Sequence, residues 1–218
     1  MTGDFPEDIQ KGILVPMQKP GKKRGPLDNL RPVILLTFIR KILAGCLLGR
    51  VSNRILQQVP LSQAAFQSGR STTEQVLAIK ILIERAITST SDEAHILLLD
   101  MSKAFDTVDR NRLIREMGNI LEPDELFLAA MLVSDMKLRV RCDKELSIPF
   151  HTNTGIPQGD SNSPVDFILY LAEALGNKTY LGNFPQAYCL ELQYADDVIL
   201  VKGSKDQSTM SSDRYRTS

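Results

Sequence analysis

Two adjacent aspartates, Asp196 and Asp197, stand between two apolar segments in the stretch LELQYADDVILV at residues 190–201. Short apolar segments on either side of a turn predict a β-hairpin that carries both acids at its turn. One interpretation is that Asp serves here only as a good turn residue, without a function. The other is that two carboxylates placed among apolar residues bind a cation. The other motifs of the chain bear on this choice.

Length and composition indicate a folded chain. Its 218 residues suffice for one large domain or two small ones with a hydrophobic core, and 43% of them are apolar. The longest apolar run, VILLTFI at 33–39, is too short to span a bilayer, and we expect no membrane association and no secretory signal. The three cysteines form no C-x-x-C pair, which argues against a disulfide frame and against a zinc site. We therefore expect an intracellular location, in the cytoplasm or the nucleus.

Charge is distributed unevenly along the chain. Residues 1–60 contain ten Lys or Arg and four acids, a balance of +6, and the net charge of zero leaves −6 for the remainder. A basic region joined to an acidic one suits a polyanionic partner together with a cation site. The alternative is a solvated surface with charges clustered by chance.

Periodicity and turn residues predict an alternation of helices and strands. We expect strands at 12–17 and 95–100, hairpins at 137–152 and 190–201, and helices within 39–55 and at 73–88, 109–120, 124–134 and 165–177. The apolar residues predicted for the inner face of the first helix are Ile39, Ile42, Leu43, Leu47, Val51 and Ile55. The run HILLLD at 95–100 predicts a central strand buried on both faces. The element order predicts an α+β fold with helices on one face of an antiparallel sheet.

Asp100 ends the strand at 95–100, so a hairpin paired beside that strand would bring Asp100, Asp196 and Asp197 together. Three close carboxylates repel one another unless protonated or neutralised by a cation. Hard oxygen ligands with room for water and phosphate suit Mg²⁺, and two ions ~3.5–4 Å apart can clamp a phosphoryl displacement. Because neighbouring strand residues point to opposite faces, we expect Asp100 and Asp196 to be the stronger ligands and Asp197 to be peripheral.

Three motifs appear in an order that is specific. The segments LLLDMSKAFDTV (97–108), GIPQGDSNSP (155–164) and YADD (194–197) resemble three core motifs of reverse transcriptases. Upstream, KPGK (19–22), LRPVILL (30–36) and FQSGRST (66–72) are similar to the finger region of non-LTR (LINE-like) retrotransposon reverse transcriptases. YADD alone is a weak signal, but together the segments identify a resemblance from about Gly12 to Val201.

The resemblance implies a right-hand polymerase with fingers and palm, whose palm is a ferredoxin-like antiparallel sheet backed by helices. It places a fingers-like basic region at 1–90, partly interleaved with the palm, and the palm at 91–203. We expect residues 204–218 to be a disordered tail, because the segment has few apolar residues and no periodicity. The helical thumb that follows the palm in this family has no expected counterpart in the chain.

The resemblance also implies the activity of an RNA-directed DNA polymerase. The primer 3′ hydroxyl attacks the α-phosphate of a deoxynucleoside triphosphate (dNTP) and pyrophosphate leaves. Two Mg²⁺ ions, for which Mn²⁺ can substitute, assist this step, and Asp100, Asp196 and Asp197 are the implied catalytic acids and metal ligands. The implied partners are an RNA template, a DNA primer and the dNTP, with self-association through palm surface that no thumb covers.

Five residues match family positions at the nucleotide. Phe105 matches an aromatic residue that blocks the ribose 2′ hydroxyl, although most Phe residues are simply core. Gln158 and Gly159 match the Pro-Gln-Gly element beside the incoming nucleotide, although a Gly/Pro loop before a helix is common. Lys19 and Arg31 match finger positions that hold the triphosphate, a role for which the basic residues 22–24 are alternatives.

The chain departs from the family just after the Pro-Gln-Gly element. GDSNSPVDF, with Asp166 in the first helical turn, stands where a Ser-Pro-Leu-Ser-Pro-like run is more usual. Two related enzymes remain as rivals, a group II intron maturase and a template-dependent RNA polymerase, and Phe105 argues against the second. A third rival is a catalytically dead nucleic-acid-binding remnant of a retroelement.

Overall fold

The computed structural model of the protein describes residues 7–88, 94–134, 136–175 and 189–203. Within these ranges the helices are α1 (Phe38–Leu56), α2 (Thr72–Thr88), α3 (Arg110–Gly118), α4 (Pro123–Val133) and α5 (Ser163–Ala174). The strands are β1 (Lys11–Gln18), β2 (Leu30–Leu36), β3 (Ala94–Asp100), β4 (Met136–Cys142), β5 (Glu145–Leu146), β6 (Phe150–Thr152), β7 (Cys189–Tyr194) and β8 (Asp197–Gly203). The predicted helices and strands are confirmed in their order, and the structure adds β2, a strand that the sequence analysis did not predict. The predicted disordered tail lies outside the described residues.

The chain forms two compact units that are interleaved in sequence. The first unit is Met1–Ile55 with Phe105–Phe167, and the second unit is Leu56–Ala104 with Ile168–Ser218. The sequence prediction used one boundary near residue 90 with partial interleaving, whereas the chain passes between the units three times. That the units correspond to fingers and palm stays a prediction.

The first unit contains a five-stranded sheet with the path β2-β1-β4-β5, and β6 also pairs with β4. β1 and β2 are antiparallel, from Gly12 opposite Leu36 to Gln18 opposite Leu30. β1 and β4 are parallel, which corrects the expectation of a purely antiparallel sheet. A parallel pair needs a long crossover rather than a tight turn, and the chain between β1 and β4 provides one.

The second unit contains a three-stranded antiparallel sheet with the order β3-β8-β7. β3 therefore lies at an edge of this sheet, and Leu98 on it is 71% exposed. The prediction of a central strand buried on both faces is wrong for the part of the chain that the structure describes. A continuous apolar run indicates a strand but not the number of its neighbours, so the run could not reveal that β3 pairs with β8 alone.

The predicted inner face of helix α1 is confirmed at Leu47, Val51 and Ile55 but is wrong in the first turns of the helix. Its buried residues are Arg40, Ala44, Leu47, Val51 and Ile55. Ile39 and Ile42, predicted to be inside, are exposed. An arginine, rather than an isoleucine, therefore occupies the first inner position of the helix.

Local signals fix the start of α3 as predicted. The Asp109 carboxylate caps this helix and accepts hydrogen bonds from the backbone N–H groups of Asn111 and Arg112. These bonds satisfy donors that the first turn of a helix leaves without partners. No helix in the described ranges is long and apolar enough to cross a membrane.

Candidate active site

The acids Asp100, Asp196 and Asp197 meet at one end of the three-stranded sheet in the second unit. β3 pairs with β8 so that Asp100 lies directly opposite Asp197. β7 pairs with β8 so that Tyr194 also lies opposite Asp197, and Ala195 and Asp196 form the connecting turn. The structure therefore brings together the three acids that the sequence motifs single out.

The pKa of Asp197 depends on the charges of the other two acids. Partial burial raises the pKa of Asp197, and the nearby charges of Asp196 and Asp100 raise it further. Asp100 and Asp197 are exposed and Asp196 is half-buried, so solvent reaches the group. A cation bound here would relieve the repulsion between the three charges.

The donor chemistry of this acid group fits a hard divalent cation, since all three side chains offer carboxylate oxygens. The ligands are not preassembled, however. Within the described ranges, no group of three or more His, Cys, Asp or Glu side chains is arranged so that it could hold a metal ion. Side chains of directly opposed strand residues share a face, so the register pairs Asp100 with Asp197 rather than with Asp196. The ranking of Asp197 as the peripheral ligand stays a prediction.

In the first unit, the Pro-Gln-Gly element packs against the backbone of β2. The Ile34 N–H donates to the Gln158 carbonyl oxygen at 2.8 Å. Gly159 has φ +124°, and a Cβ at this residue would lie 2.7 Å from the Ile34 carbonyl oxygen. Only glycine fits this conformation and this approach.

Phe105 and Gln158 lie in the same local assembly of the first unit. The Ile156 N–H donates to the Phe105 carbonyl oxygen at 2.9 Å, and Gln158 Nε2 donates to Asp106 Oδ1 at 3.4 Å. The Phe105 ring is half-buried and stacks on the buried Phe167 ring, with centroids 4.6 Å apart and planes 17° apart. Phe105, Gln158 and Gly159 are thus brought together, and Phe105 has a packing role whatever else it does.

Lys19 and Arg31 lie at the loop end of the β1–β2 hairpin. Lys19 follows β1, and its Nζ donates to the Asp28 carbonyl oxygen at 2.9 Å. Arg31 is exposed on β2, opposite Met17. The intervening basic loop, residues 19–29, is held to β1 because Gln18 Nε2 donates to the Lys22 carbonyl oxygen at 3.1 Å.

A buried ion pair, which the sequence interpretation missed, lies directly after the Pro-Gln-Gly element. Arg40 Nε donates to Asp160 Oδ2 at 2.9 Å, and both side chains are almost fully buried. Asp166, on α5, is also buried, and its pKa is raised well above the usual value by burial and by the charge of Asp160. Buried polar residues, Arg40, Asp160 and Asp166, therefore lie next to the Pro-Gln-Gly element in the first unit.

Comparison with known proteins decides the family. The family described as "Reverse transcriptase (RNA-dependent DNA polymerase)" matches residues 17–214 of the chain. The chain belongs to this reverse transcriptase family. The match extends beyond Val201, where the quoted motifs end, and the expected truncation after YADD stays a prediction.

Proteins of insect mobile elements are among the relatives of this chain. It is 26% identical to the probable RNA-directed DNA polymerase from transposon BS of Drosophila melanogaster, over 92% of this chain and 22% of the relative. It is also 26% identical to the RNA-directed DNA polymerase from mobile element jockey of Drosophila funebris, over 93% of this chain and 22% of that protein. The chain thus spans about a fifth of the length of these relatives, which are of the non-LTR class that the motifs implied.

Solved structures of telomerases have a fold similar to that of this chain. A truncated apo telomerase from Candida tropicalis superposes with a TM-score of 0.62 at 13% identity, over 92% of this chain and 45% of that one. The telomerase from Candida albicans, in complex with a TWJ fragment of telomeric RNA, gives the same score over 92% of this chain and 38% of that one. At this identity the likeness shows the fold alone, and it supports the predicted α+β polymerase architecture. The reverse transcriptase family as a whole uses divalent metal ions.

We expect Phe105→Val to raise ribonucleotide incorporation relative to deoxynucleotide incorporation by about tenfold or more, the scale on which a pocket excludes one extra group. If Phe105 is only core, the sugar preference should stay constant. In both cases the free energy of unfolding should fall by about 2–4 kcal/mol, because the ring stacks on Phe167. Phe167→Val is the matched control, which should lose stability while keeping the parent's sugar preference. Competition between dNTP and rNTP, with urea unfolding of both variants, measures the two effects.

We expect Asp166→Asn to be more stable than the parent at neutral pH. The raised pKa of Asp166 means that the folded state binds its proton more tightly than the unfolded state. The resulting stability is complete below the unfolded pKa of about 3.9 and is lost as pH rises toward the folded pKa. The advantage of Asn should therefore grow with pH, by at most ~1.4 kcal/mol per pH unit. Urea unfolding across a pH series measures it, and an advantage that is the same at all pH values would contradict the assignment.

Proposed function

We propose that this chain is the fingers and palm portion of an RNA-directed DNA polymerase, which adds deoxynucleotides to a primer 3′ hydroxyl. The observation that carries the proposal is the register that sets Asp100 opposite Asp197, with Asp196 beside them at the turn. Three interacting carboxylates at an accessible sheet end provide a cation site. In a chain of the reverse transcriptase family, that site is where nucleotidyl transfer would occur.

Asp100, Asp196 and Asp197 would hold two Mg²⁺ ions, and Mn²⁺ could substitute. Bound there, the ions would activate the attacking hydroxyl and stabilise the charge that develops on the phosphate and on the leaving pyrophosphate. The residues themselves supply negative oxygen ligands from adjacent strands. The pKa of Asp197 is raised by its partial burial and then by the charges of Asp196 and Asp100, and a bound cation would relieve that repulsion.

The first unit would bind and orient the nucleotide. Gln158 and Gly159 are fixed to β2 through Ile34, so the Pro-Gln-Gly backbone is a rigid surface for a base or sugar to contact. The bulk of the Phe105 ring itself would exclude a 2′ hydroxyl. Lys19 and Arg31 would contact the triphosphate, since Lys offers a point charge and Arg a planar fork.

The nucleic-acid partners proposed for this chain are an RNA template and a DNA primer. Residues 11–60 carry ten basic side chains against Asp28 alone, and apart from the buried Arg40 these would be the source of contacts to phosphate. The exposed residues 22–24 of the basic loop are three of these. Binding that depends on such contacts weakens steeply as salt rises.

Exposed apolar surface in the second unit supports self-association. Val76 and Ile87 on α2 and Leu98 on β3 are all highly exposed. Apolar side chains that solvent reaches favour contact with another molecule. We propose that copies of the chain associate through this surface when nothing else covers it.

A second candidate function is nucleic-acid binding without catalysis. The observation that favours it is that the described residues hold no preassembled group of three metal ligands. The basic residues of the first 60 positions would serve this function equally well. The two candidates differ in one property, which is RNA-templated synthesis that depends on a divalent cation.

Primer extension by the purified 218-residue chain tests the proposal. An RNA template, a labelled DNA primer, dNTPs and Mg²⁺ at low salt should give extended primer, and chelation of the metal should abolish it. With a nucleic-acid trap, we expect products of only a few nucleotides, and these should become shorter as the salt concentration rises. The reason is that binding of the primer–template depends mainly on contacts from the basic residues to phosphate. Binding of primer–template without any Mg²⁺-dependent extension would favour the second candidate.

A further inference from the structure

Gln63 is a buried glutamine that holds the turn bearing Asp196. We propose that it is a positioning residue for the carboxylates of Asp100, Asp196 and Asp197, an inference that rests on the proposed function of these three acids. Gln63 lies in the loop between α1 and α2, in the second unit, and is 1% exposed. A buried amide is costly unless its hydrogen bonds are made, so its partners show what it does.

All the strong hydrogen bonds available to the Gln63 side chain are formed. Its Oε1 accepts from the Ala195 N–H at 2.9 Å and from the Ala65 N–H at 3.0 Å. Its Nε2 donates to the Ala195 carbonyl oxygen at 3.2 Å and to Gln193 Oε1 at 3.2 Å. A glutamine amide has two donor hydrogens and an oxygen with two acceptor positions, so this set is complete.

The backbone around Gln63 keeps the amide in place. Gln63 forms a parallel bridge with Gln193 of β7. The Gln193 N–H donates to the Ser62 carbonyl oxygen at 2.9 Å, and the Ala64 N–H donates to the Gln193 carbonyl oxygen at 3.0 Å. The loop thus lies along β7 as a short additional strand, and it delivers the Gln63 side chain to the turn.

The turn needs this support because Ala195 has φ 55°. This left-handed conformation suits glycine, whereas a residue with a Cβ adopts it at a cost of ~1–3 kcal/mol. Gln63 bonds both the N–H and the carbonyl of Ala195, which fixes the peptide planes on both sides of the strained residue. Asp196 follows directly, so the direction in which its side chain leaves the turn is set by the same two bonds.

Glutamine suits this place chemically because the turn presents one donor and one acceptor. A glutamate would accept from Ala195 but would repel its carbonyl oxygen, and it would add a fourth carboxylate beside three that already repel one another. An apolar residue would leave both backbone groups of Ala195 buried without partners. Each change should loosen the turn, with the apolar one having the larger effect.

Amide hydrogen exchange at Ala195 tests the role directly. Gln63→Met should speed exchange of the Ala195 N–H by about tenfold beyond any change in global unfolding, the equivalent of one lost hydrogen bond. The matched control is Gln75→Met, because Gln75 is also a buried glutamine of the second unit and bonds the Ser62 carbonyl oxygen but not the turn. Its Ala195 exchange should change only as global stability does. Gln63→Glu, which keeps the side-chain size and the oxygen that accepts from the Ala195 N–H but loses the donor to the Ala195 carbonyl, should also speed this exchange.

The consequence for the acids is measured by Mn²⁺ titration. Gln63→Met should raise the Mn²⁺ dissociation constant about tenfold, while Gln75→Met should leave it unchanged. Equal exchange at Ala195 in the Gln63 variants and the control would overturn the inference, as would unaltered Mn²⁺ affinity in Gln63→Met. Failure of the parent to bind Mn²⁺ would instead refute the proposed metal site, and the exchange comparison would still show whether Gln63 holds the turn.

Discussion

Replacing Arg40 with methionine should lower the free energy of unfolding by about 3–5 kcal/mol, the cost of breaking a buried ion pair on one side. Arg40 is 0% exposed and donates to Asp160 Oδ2, to the Ile9 carbonyl oxygen and to the Leu132 carbonyl oxygen. Methionine fills similar space but makes none of these bonds. The variant would leave a buried carboxylate and two carbonyls without these donors.

The matched control for this prediction is Arg50→Met on the same helix. Arg50 is 65% exposed and faces Asp124 and Glu125 at 3.9 and 3.4 Å. The pair with Asp124 is exposed on both sides, and the buried Glu125 keeps its ion pair with Arg54, so the loss should be about 0–1 kcal/mol. Urea unfolding of both variants makes the comparison, and similar losses in the two would show that Arg40 does not support the core.

A double variant refines the same test. Arg40→Met with Asp160→Asn removes both charges, so it should lose less stability than the sum of the two single variants. The Asp160 carboxylate also accepts from the Ser161 N–H at 2.8 Å, a bond that Asn can keep. A fully additive loss would indicate that the two side chains contribute independently.

The order of helices and strands could be predicted because it depends on local signals. Asp109 caps α3 as its sequence position suggests, and Pro123 stands at the start of α4 as proline prefers. The meeting of Asp100 with Asp196 and Asp197 was also predictable. It needs only that a strand ending in an acid pairs beside a hairpin with acids at its turn, and β3 and β8 do pair.

The inner face of α1 was predictable at Leu47, Val51 and Ile55 but not in its first turns. Arg40 is buried there, which is favourable because Asp160 lies beside it from 120 residues away in the chain. Sequence periodicity carries no information about such a distant partner. The exposed edge position of β3 escaped prediction for the same reason, since strand neighbours are a property of the whole sheet.

The role of Gln63 was also hidden from the sequence. Its loop contains ordinary polar and small residues, and nothing local indicates that a glutamine there is buried. The strained residue it supports, Ala195, gave the better signal. An alanine where a hairpin turn requires positive φ points to a contact from elsewhere in the chain that holds it.

Asp196→Asn and Asp100→Asn should each lower the rate of nucleotide addition by about 10²–10³, the scale of losing one preorganised electrostatic contact. Asparagine keeps the shape of the side chain but removes a charge that the cations need. Folding should be unharmed or improved, because the charges of Asp196 and Asp100 help to raise the pKa of Asp197 and either change relieves that repulsion. Asp143→Asn, an exposed acid in another hairpin turn, is the matched control.

Single-nucleotide incorporation on an RNA template, at saturating Mg²⁺ and dNTP, tests the central claim most directly. The parent and Asp143→Asn should add the templated deoxynucleotide at similar rates, and Asp196→Asn and Asp100→Asn should be slower by two to three powers of ten, on the scale given above. Urea unfolding should show that all four proteins are folded. An Asp196→Asn protein that is folded and incorporates the nucleotide as fast as its parent would contradict the assignment of Asp100, Asp196 and Asp197 as the catalytic centre.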